Sequence, residues 1–360
     1  MTVAVTGIAD GIVAACRNEA DHEVHVRIGD AVVAIRASPT VMAACRHFDA
    51  FALRGVAAGT TEPCAVVHVA EGPGVRAAMP ALPPFAIDPA GRPNPADEIV
   101  APLAGPAPAV YAATADRRRA AVWVPSWRDR GRSERARPLL PAIQAVLRDT
   151  GWSVLHSAAI GTRGRAVLLT GESYAGKTSL ALAACAAGAD YYGDDVVAVR
   201  CDRATGAAGA AGRDEDGGRP LVARIYDTAG LRLPPLPPLL PLVPEGEHTE
   251  ELGEHRSELL LTGRLAGRPA SAPIERIVHL ARSGAGTPTF GTVSRGRVIA
   301  TVSATTLQVS FGDLRHRDLI TSLCGVRPPI RLDPGPDLGA AVRAALGLLD
   351  PAGGPARDDG

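Results

Sequence analysis

Short apolar runs, separated by glycine, proline and charged residues, divide the chain into predicted strands and helices. The runs "EVHVRIGD" and "AVVAIRA" predict two strands joined by the hairpin turn Gly29-Asp30. The run "SPTVMAACRHFDAFAL" has apolar residues at helical spacing behind Ser38 and Pro39, and "CAVVHVAE" predicts another strand. His25 and His68 alternate with apolar neighbours, which favours the solvent face of a sheet over a metal site.

The next part of the chain predicts a linker and then further elements. Residues 72–108 are rich in Pro, Gly and Ala, which predicts connecting loops. The run "RRRAAVWVPSW" predicts a strand, and "RPLLPAIQAVLRDTG" predicts a helix that ends at Gly151. We therefore place an N-terminal α/β domain with its Pro/Gly-rich linker at residues 1–125, a catalytic domain at 126–350 and a frayed tail at 351–360.

The centre of the chain predicts an α/β core. "WSVLHSAAI" and "RAVLLTG" read as two strands around a turn at residues 162–164, "KTSLALAACAAG" as a helix closed by Gly188, and "VVAVR" as a strand. The Pro-rich and then acidic run "LPPLPPLLPLVPEGEHTEELGEHRSE" predicts a solvated loop. "IERIVHLAR", "TFGTVSRGRVIA" and "TLQVSF" read as late strands, and "DLGAAVRAALGLLD" as a terminal helix.

Composition excludes several classes of partner. The 38 acidic and 38 basic residues balance, so we expect neither nucleic acid nor an anionic membrane as a partner. No apolar stretch reaches the length of a membrane span, and we expect no secretion signal because the first residues lack a basic leader before an apolar core. The six cysteines form no CxxC pair. We expect a cytoplasmic protein. The sequence is compatible with a monomer and with a homo-oligomer.

One lysine stands among the 38 lysine and arginine residues, and it lies in the run "TGESYAGKTSL". This run fits G-x-x-x-x-G-K-[ST], in which backbone N–H groups surround a phosphate and the lysine reaches the β- and γ-phosphates. A compact ammonium fits such a hole, whereas a planar guanidinium does not. The predicted nucleotide-binding residues are Gly171, Glu172, Ser173, Tyr174, Ala175, Gly176, Lys177, Thr178 and Ser179.

Two further features accompany the loop. Asp194 and Asp195 follow the helix; one carboxylate can hold Mg²⁺ while the other accepts the proton of an attacking hydroxyl. A simple turn before the strand "VVAVR" is the alternative for this pair. His156 lies in the strand next to the loop strand, and an active-site residue and a satisfied core residue are equally supported.

These residues together resemble the catalytic core of the HPr kinase/phosphorylase family and its HPr-kinase-like relatives. That family has a His in an S-L-H type strand, a short G-x-S-x-x-G-K-[ST] loop and an Asp pair after the next helix; the resemblance covers roughly residues 150–200. It implies a PEP-carboxykinase-like nucleotide fold and ATP-dependent phosphorylation of a serine hydroxyl. It also implies roles in catalysis for Lys177, for Asp194 as proton acceptor and donor, and for His156 beside the phosphates, with Thr178 and Asp195 on the metal.

The chain departs from that family at three places, one of which is the glycine-rich segment with a metal-binding Glu after the Asp strand, which has no clear counterpart in "RATGAAGAAGRDEDGGRP". Tyr174 stands where the bacterial HPr kinases usually have Gly, and the N-terminal region does not resemble theirs. We therefore expect an Mg²⁺- and ATP-dependent kinase whose acceptor is a serine of a protein or peptide other than HPr, including peptides of ribosomal natural-product pathways. A small-molecule kinase and a nucleotide-binding regulatory module without phosphoryl transfer are the alternatives.

Overall fold

The computed structural model describes residues 7–18, 22–44, 62–80, 99–103, 109–130, 137–201, 219–232, 238–239, 249–251, 254–265, 267–307 and 315–350. The tail predicted at 351–360 lies outside these residues. The chain divides into two compact units, Met1–Trp152 with Ser310–Asp313, and Ser153–Val309 with Leu314–Gly360. Both units combine sheets and helices, so the predicted mixed α/β class is confirmed.

The first unit is built on a six-stranded sheet with the spatial order β1-β2-β3-β6-β5-β4. Its strands are β1 (His22–Ile28), β2 (Ala31–Ala37), β3 (Ala65–Glu71), β4 (Ile99–Leu103), β5 (Ala109–Ala113) and β6 (Arg119–Val124). Its helices are α1 (Ile8–Arg17), α2 (Pro39–Ala44), α3 (Pro73–Ala78) and α4 (Leu140–Leu147), with a 3₁₀ turn at Arg148–Thr150. Strands β2, β3 and β6 run parallel, and the remaining pairs are antiparallel.

The hairpin between β1 and β2 has the predicted two-residue turn. Ile28 pairs with Ala31, and Gly29 adopts φ 61°. A Cβ atom on Gly29 would collide with the ring of Trp152, and the indole Nε1 donates a 2.7 Å hydrogen bond to Asp30 Oδ1. Asp30 therefore holds the indole by a hydrogen bond, and the missing side chain of Gly29 leaves the space that the ring occupies.

Two expectations for the first unit need correction. The linker region contains helix α3 and the edge strand β4, where Pro102 is tolerated because an edge strand has one unpaired side. His25 and His68 are buried, with 6% and 3% of their surface exposed, so the solvent face was wrong. Helices α1 and α4 both pack on β3, β5 and β6, which covers the two faces of the sheet around His68.

The second unit contains a nine-stranded sheet and a separate three-stranded sheet. The large sheet has the order β10-β8-β9-β16-β12-β11-β7, with β18 paired to β16 and β17 to β18; its strands are β7 (Trp152–Leu155), β8 (Ala158–Thr162), β9 (Arg165–Gly171), β10 (Asp190–Gly193), β11 (Val197–Arg200), β12 (Leu221–Ala223), β16 (Ser271–Leu280), β17 (Thr289–Thr292) and β18 (Ile330–Asp333). The small sheet has the order β13-β15-β14, formed by β13 (Thr228–Arg232), β14 (Thr249–Glu251) and β15 (Glu254–Leu260).

Helices cover both faces of the large sheet. They are α5 (Lys177–Ala186), α6 (Thr262–Leu265), α7 (Arg295–Leu307), α8 (Arg315–Val326) and α9 (Leu338–Gly347). Apolar residues of α5 and α9 share one core cluster with Leu169 of β9, and residues of α7 and α8 share another with Leu168. Because successive strand residues point to opposite faces, β9 is buried on both sides, as is typical of a central parallel strand. No described helix is long and apolar enough to cross a membrane.

Three predictions for the second unit were wrong. "WSVLHSAAI" is not one strand, because the chain breaks at His156 and Ser157 between β7 and β8. Part of the run predicted as an acidic loop forms β14 and β15. Beyond β17, the run "SRGRVIA" is helical: Ser294 Oγ accepts a 3.2 Å hydrogen bond from the N–H of Arg297, and Val298 and Val302 are buried one turn apart. The later run "TLQVSF" begins in α7, and its last four residues lie outside the described ones.

The buried His68 predicts that the first unit loses stability in mild acid. Burial, with smaller contributions from Arg36, Arg17 and Arg119, lowers the pKa of His68 from 6.5 to about 4, while Glu23 opposes the shift. Between these pH values the unfolded chain binds a proton that the folded chain does not. The free energy of unfolding should therefore be full above pH 6.5 and fall by about 1–2 kcal/mol between pH 7 and pH 5.

The measurement is urea unfolding of the full chain followed by tryptophan fluorescence, because all three tryptophans lie in the first unit. His68→Gln should flatten the pH dependence, whereas His22→Gln, at an exposed position, should leave it unchanged. An unaltered slope in His68→Gln would show that other groups cause the acid sensitivity.

Candidate active site

The glycine-rich loop joins the end of β9 to the start of α5. Three of its residues have left-handed backbone angles: Gly171 with φ 145°, Tyr174 with φ 67° and Gly176 with φ 104°. The N–H of Ala175 donates to the carbonyl of Glu172 at 3.2 Å, and the N–H of Leu180 donates to the carbonyl of Gly176 at 2.9 Å. The chain thus turns tightly from strand to helix, with the free N–H groups of the helix start at the loop.

Lys177 is buried inside this turn, with 6% of its surface exposed. Its Nζ donates to the carbonyls of Gly171 at 2.9 Å and Glu172 at 3.1 Å. Burial lowers the pKa of Lys177 to about 8, and the charge of Asp194 opposes this shift. The ammonium therefore closes the loop on itself through two of the loop's own carbonyls.

The loop also rests on the backbone of β16. Strands β9 and β16 are parallel, with Thr170 opposite His279 and Gly171 opposite Leu280. A Cβ atom on Gly171 would lie 2.8 Å from the carbonyl oxygen of Leu280. Only glycine allows β16 to approach this closely, so the loop is held from one side by β16 and from within by Lys177.

Asp194 is held by hydrogen bonds on both carboxylate oxygens. The hydroxyl of the fully buried Tyr191 lies 3.0 Å from Asp194 Oδ1, and the N–H of Gly230 donates to Oδ2 at 3.3 Å. Burial and then Asp194 raise the pKa of Tyr191 well above its usual value, so the hydroxyl stays protonated and can donate. The hydroxyl of Thr178 donates to the backbone carbonyl of Asp194 at 3.5 Å.

Asp195 has a different neighbour. Its Oδ1 lies 3.5 Å from Nε2 of His156, and 26% of its side chain is exposed, against 16% of that of the histidine. The backbone N–H of His156 donates to Thr306 Oγ1 in α7 at 3.1 Å, so the backbone at the break between β7 and β8 is anchored to α7. Asp194 is thus buried and accepts from Tyr191 and Gly230, whereas Asp195 is more accessible and lies beside an imidazole.

Two arginines that the sequence analysis did not single out lie at the loop. Arg297 Nη2, at the start of α7, is 2.6 Å from Oε1 of Glu172. Arg282 Nη2 lies 3.3 Å from the place that a Cβ atom on Gly176 would occupy. Neither arginine carries a local motif; only the pairing of β9 with β16 shows that residues after β16 come to the loop.

The predicted site residues lie together in the second unit. Gly171 to Ser179 form the loop and first helical turn, Asp194 adjoins Lys177 and Thr178, and His156 joins through Asp195. Across the described part of the chain, no group of three or more His, Cys, Asp or Glu side chains could hold a metal ion. The hydroxyl of Thr178 and the carboxylate of Asp195 are hard oxygen donors, which fit an Mg²⁺ ion that takes its other ligands from phosphates and water.

No protein-family model matches the chain, and no protein of curated function matches it in sequence.

The close approach of Gly171 to β16 predicts a loss of stability on substitution. Gly188 is the matched control, because it too has a positive φ, 90°, but a Cβ atom there meets nothing within 4 Å. Both Gly→Ala changes strain the backbone, and only Gly171→Ala adds a collision with a carbonyl oxygen. We expect Gly171→Ala to reduce the free energy of unfolding by about 1–3 kcal/mol more than Gly188→Ala does.

Far-ultraviolet circular dichroism during chemical unfolding measures both losses. Equal losses of stability in the two variants would mean that the loop can shift away from β16 without a change in the free energy of unfolding.

Proposed function

We propose that this chain is a P-loop kinase of the HPr-kinase-like type, with a PEP-carboxykinase-like nucleotide fold. It transfers the γ-phosphoryl group of Mg·ATP to a hydroxyl, most simply a serine of a protein or peptide. The observation that carries the proposal is the buried Lys177, which closes a G-x-x-x-x-G-K-[ST] turn beside two carboxylates in different surroundings.

The loop residues supply the binding of the phosphates. Backbone N–H groups of Gly171 to Ser179 and the start of α5 present partial positive charge, and Lys177 adds a compact full charge. Thr178 and Asp195 would hold Mg²⁺, which when bound neutralises charge on the phosphates. His156, 3.5 Å from Asp195, would keep that carboxylate oriented.

Asp194 is proposed as the proton acceptor. Its carboxylate accepts from Tyr191 on one oxygen and from Gly230 on the other, so both oxygens are held in fixed positions. The new bond forms between the acceptor oxygen and the γ-phosphorus, the bond from that phosphorus to the bridging oxygen breaks, ADP leaves, and the hydroxyl proton passes to Asp194. The fixed side chain favours this role, because a base must be positioned before the reaction.

Two alternatives remain within the same site. A small-molecule kinase would need the same loop and the same base, and differs in the acceptor alone. A regulatory nucleotide-binding module needs a carboxylate on the metal side but no second one, so the presence of both Asp194 and Asp195 favours transfer. The discriminating experiment is ATP consumption by the purified chain with serine-containing peptides, with small hydroxyl compounds and with no acceptor. If the chain binds nucleotide but consumes no ATP in any of these mixtures, the result would support the regulatory nucleotide-binding module.

Lys177 provides the first test. Lys177→Ala should weaken nucleotide binding and abolish transfer, because the loop loses its only buried cation among the described residues. Lys177→Arg should not restore either property, since a forked guanidinium cannot make the two short bonds to Gly171 and Glu172 in the same space. Isothermal titration with Mg·ATP and a transfer assay measure both effects. Near-normal turnover of Lys177→Arg would contradict the proposed fit.

The two carboxylates provide the second test. Asp194→Asn should leave ATP affinity within a few fold while transfer falls by ~10²–10⁴, the usual contribution of a positioned base. Asp195→Asn should instead weaken Mg·ATP binding, and added Mg²⁺ should restore part of the activity. Nucleotide binding and single-turnover transfer across a magnesium series separate these outcomes. The reverse pattern would assign the base to Asp195. Full activity in both variants would mean that Asp194 and Asp195 only form a turn before the strand.

A further inference from the structure

Arg282 reaches the loop because of the parallel pairing of β9 and β16. Parallel neighbouring strands end at the same edge of a sheet, and here Gly171 lies opposite Leu280. The loop leaves β9 at this edge, and the chain after β16 leaves there too. Arg282, two residues beyond Leu280, is therefore carried to the mouth of the loop.

The guanidinium of Arg282 lies against the last loop glycine. Its Nη2 is 3.3 Å from the position of a Cβ atom on Gly176, the residue before Lys177 and the N-cap of α5. Gly176 has φ 104°, which already favours glycine, and the absent side chain leaves room for the guanidinium. The arginine is thus beside the N–H groups that begin the helix.

This position is electrostatically unfavourable for a cation. The N-terminus of a helix carries partial positive charge, and the ammonium of Lys177 is the next residue along. Arg297 relieves its charge on Glu172, and Lys177 donates to two carbonyls, but Arg282 makes no hydrogen bond or ion pair to any residue that the structure describes. It is also exposed, so its donors are available to a ligand. A polyanion at the loop would satisfy all these charges together.

We propose that Arg282 is a second phosphate-binding cation, which donates from its guanidinium to β- or γ-phosphate oxygens of the nucleotide in the loop. The inference rests on the proposed function as far as nucleotide binding, and it does not require phosphoryl transfer. A planar, five-donor group suits this open position, where two phosphate oxygens can be contacted at once, as the compact ammonium of Lys177 suits the closed one.

The test compares Arg282→Ala and Arg282→Lys with Arg343→Ala, which removes another exposed arginine from helix α9. Isothermal titration measures the binding of ATP, ADP and AMP, each with Mg²⁺ at one salt concentration. Arg282→Ala should bind ATP and ADP about 10-fold more weakly, the size of one charge-assisted hydrogen bond. AMP binding should change by less than about 2-fold, Arg282→Lys should keep part of the affinity, and Arg343→Ala should behave as the unchanged protein. Unfolding curves check that all variants are folded.

The outcomes separate this inference from the proposed function. If the unchanged protein binds ATP and Arg282→Ala binds it equally well, or loses AMP affinity to the same extent, the role of Arg282 is wrong and the kinase proposal stands. If the expected differences appear but no acceptor is phosphorylated, Arg282 is a phosphate contact of a nucleotide-binding module. Absence of nucleotide binding by the unchanged protein would overturn both.

Discussion

The enclosed ammonium of Lys177 is the interaction on which the site depends. A charge taken out of water must be given fixed partners, and here the partners are two backbone carbonyls of the same loop. Those carbonyls converge only if the chain reverses sharply after β9, which demands left-handed angles at Gly171 and Gly176. The need to enclose this ammonium therefore explains the loop conformation, the lysine in place of an arginine, and the two glycines.

Most elements with a strong local signal were predictable. The turn at Gly29-Asp30, the end of α5 before Gly188 and the loop itself all follow from residues close together in sequence. Much of helix α7 was mistaken for a strand because Val, Ile and Thr make up six of its 13 residues, and such residues favour sheets when considered alone. Its cap at Ser294 and the one-turn spacing of Val298 and Val302 were the competing signals, and tertiary packing made them decisive.

The parts of the site that sequence reasoning missed all depend on which strands are neighbours. Nothing local to Arg282, Arg297 or Gly230 indicates a common location, because Arg282 follows β16, Arg297 lies in the first turn of α7 and Gly230 lies within β13. Tyr191 lies closer to its partner Asp194, yet its role depends on a hydroxyl directed inward by burial. Pairing of β9 with β16 could not be deduced from apolar runs, since any buried strand presents the same pattern. The sequence therefore predicts the site residues that lie close to the loop along the chain, but not those that strand pairing brings to it.

Gly29 and Gly171 both lie in tight surroundings, but they differ in whether a change elsewhere could make room for a side chain. A side chain at Gly29 would meet the ring of Trp152, and a smaller residue at position 152 would remove the obstacle. A side chain at Gly171 would meet the main-chain oxygen of Leu280, which every residue at position 280 possesses. A second-site suppressor can therefore exist for the first position, whereas no exchange of the contacting residue can rescue the second. Among descendants of this gene, residue 29 is free to covary with its neighbour, and residue 171 must stay constant while the strands stay paired.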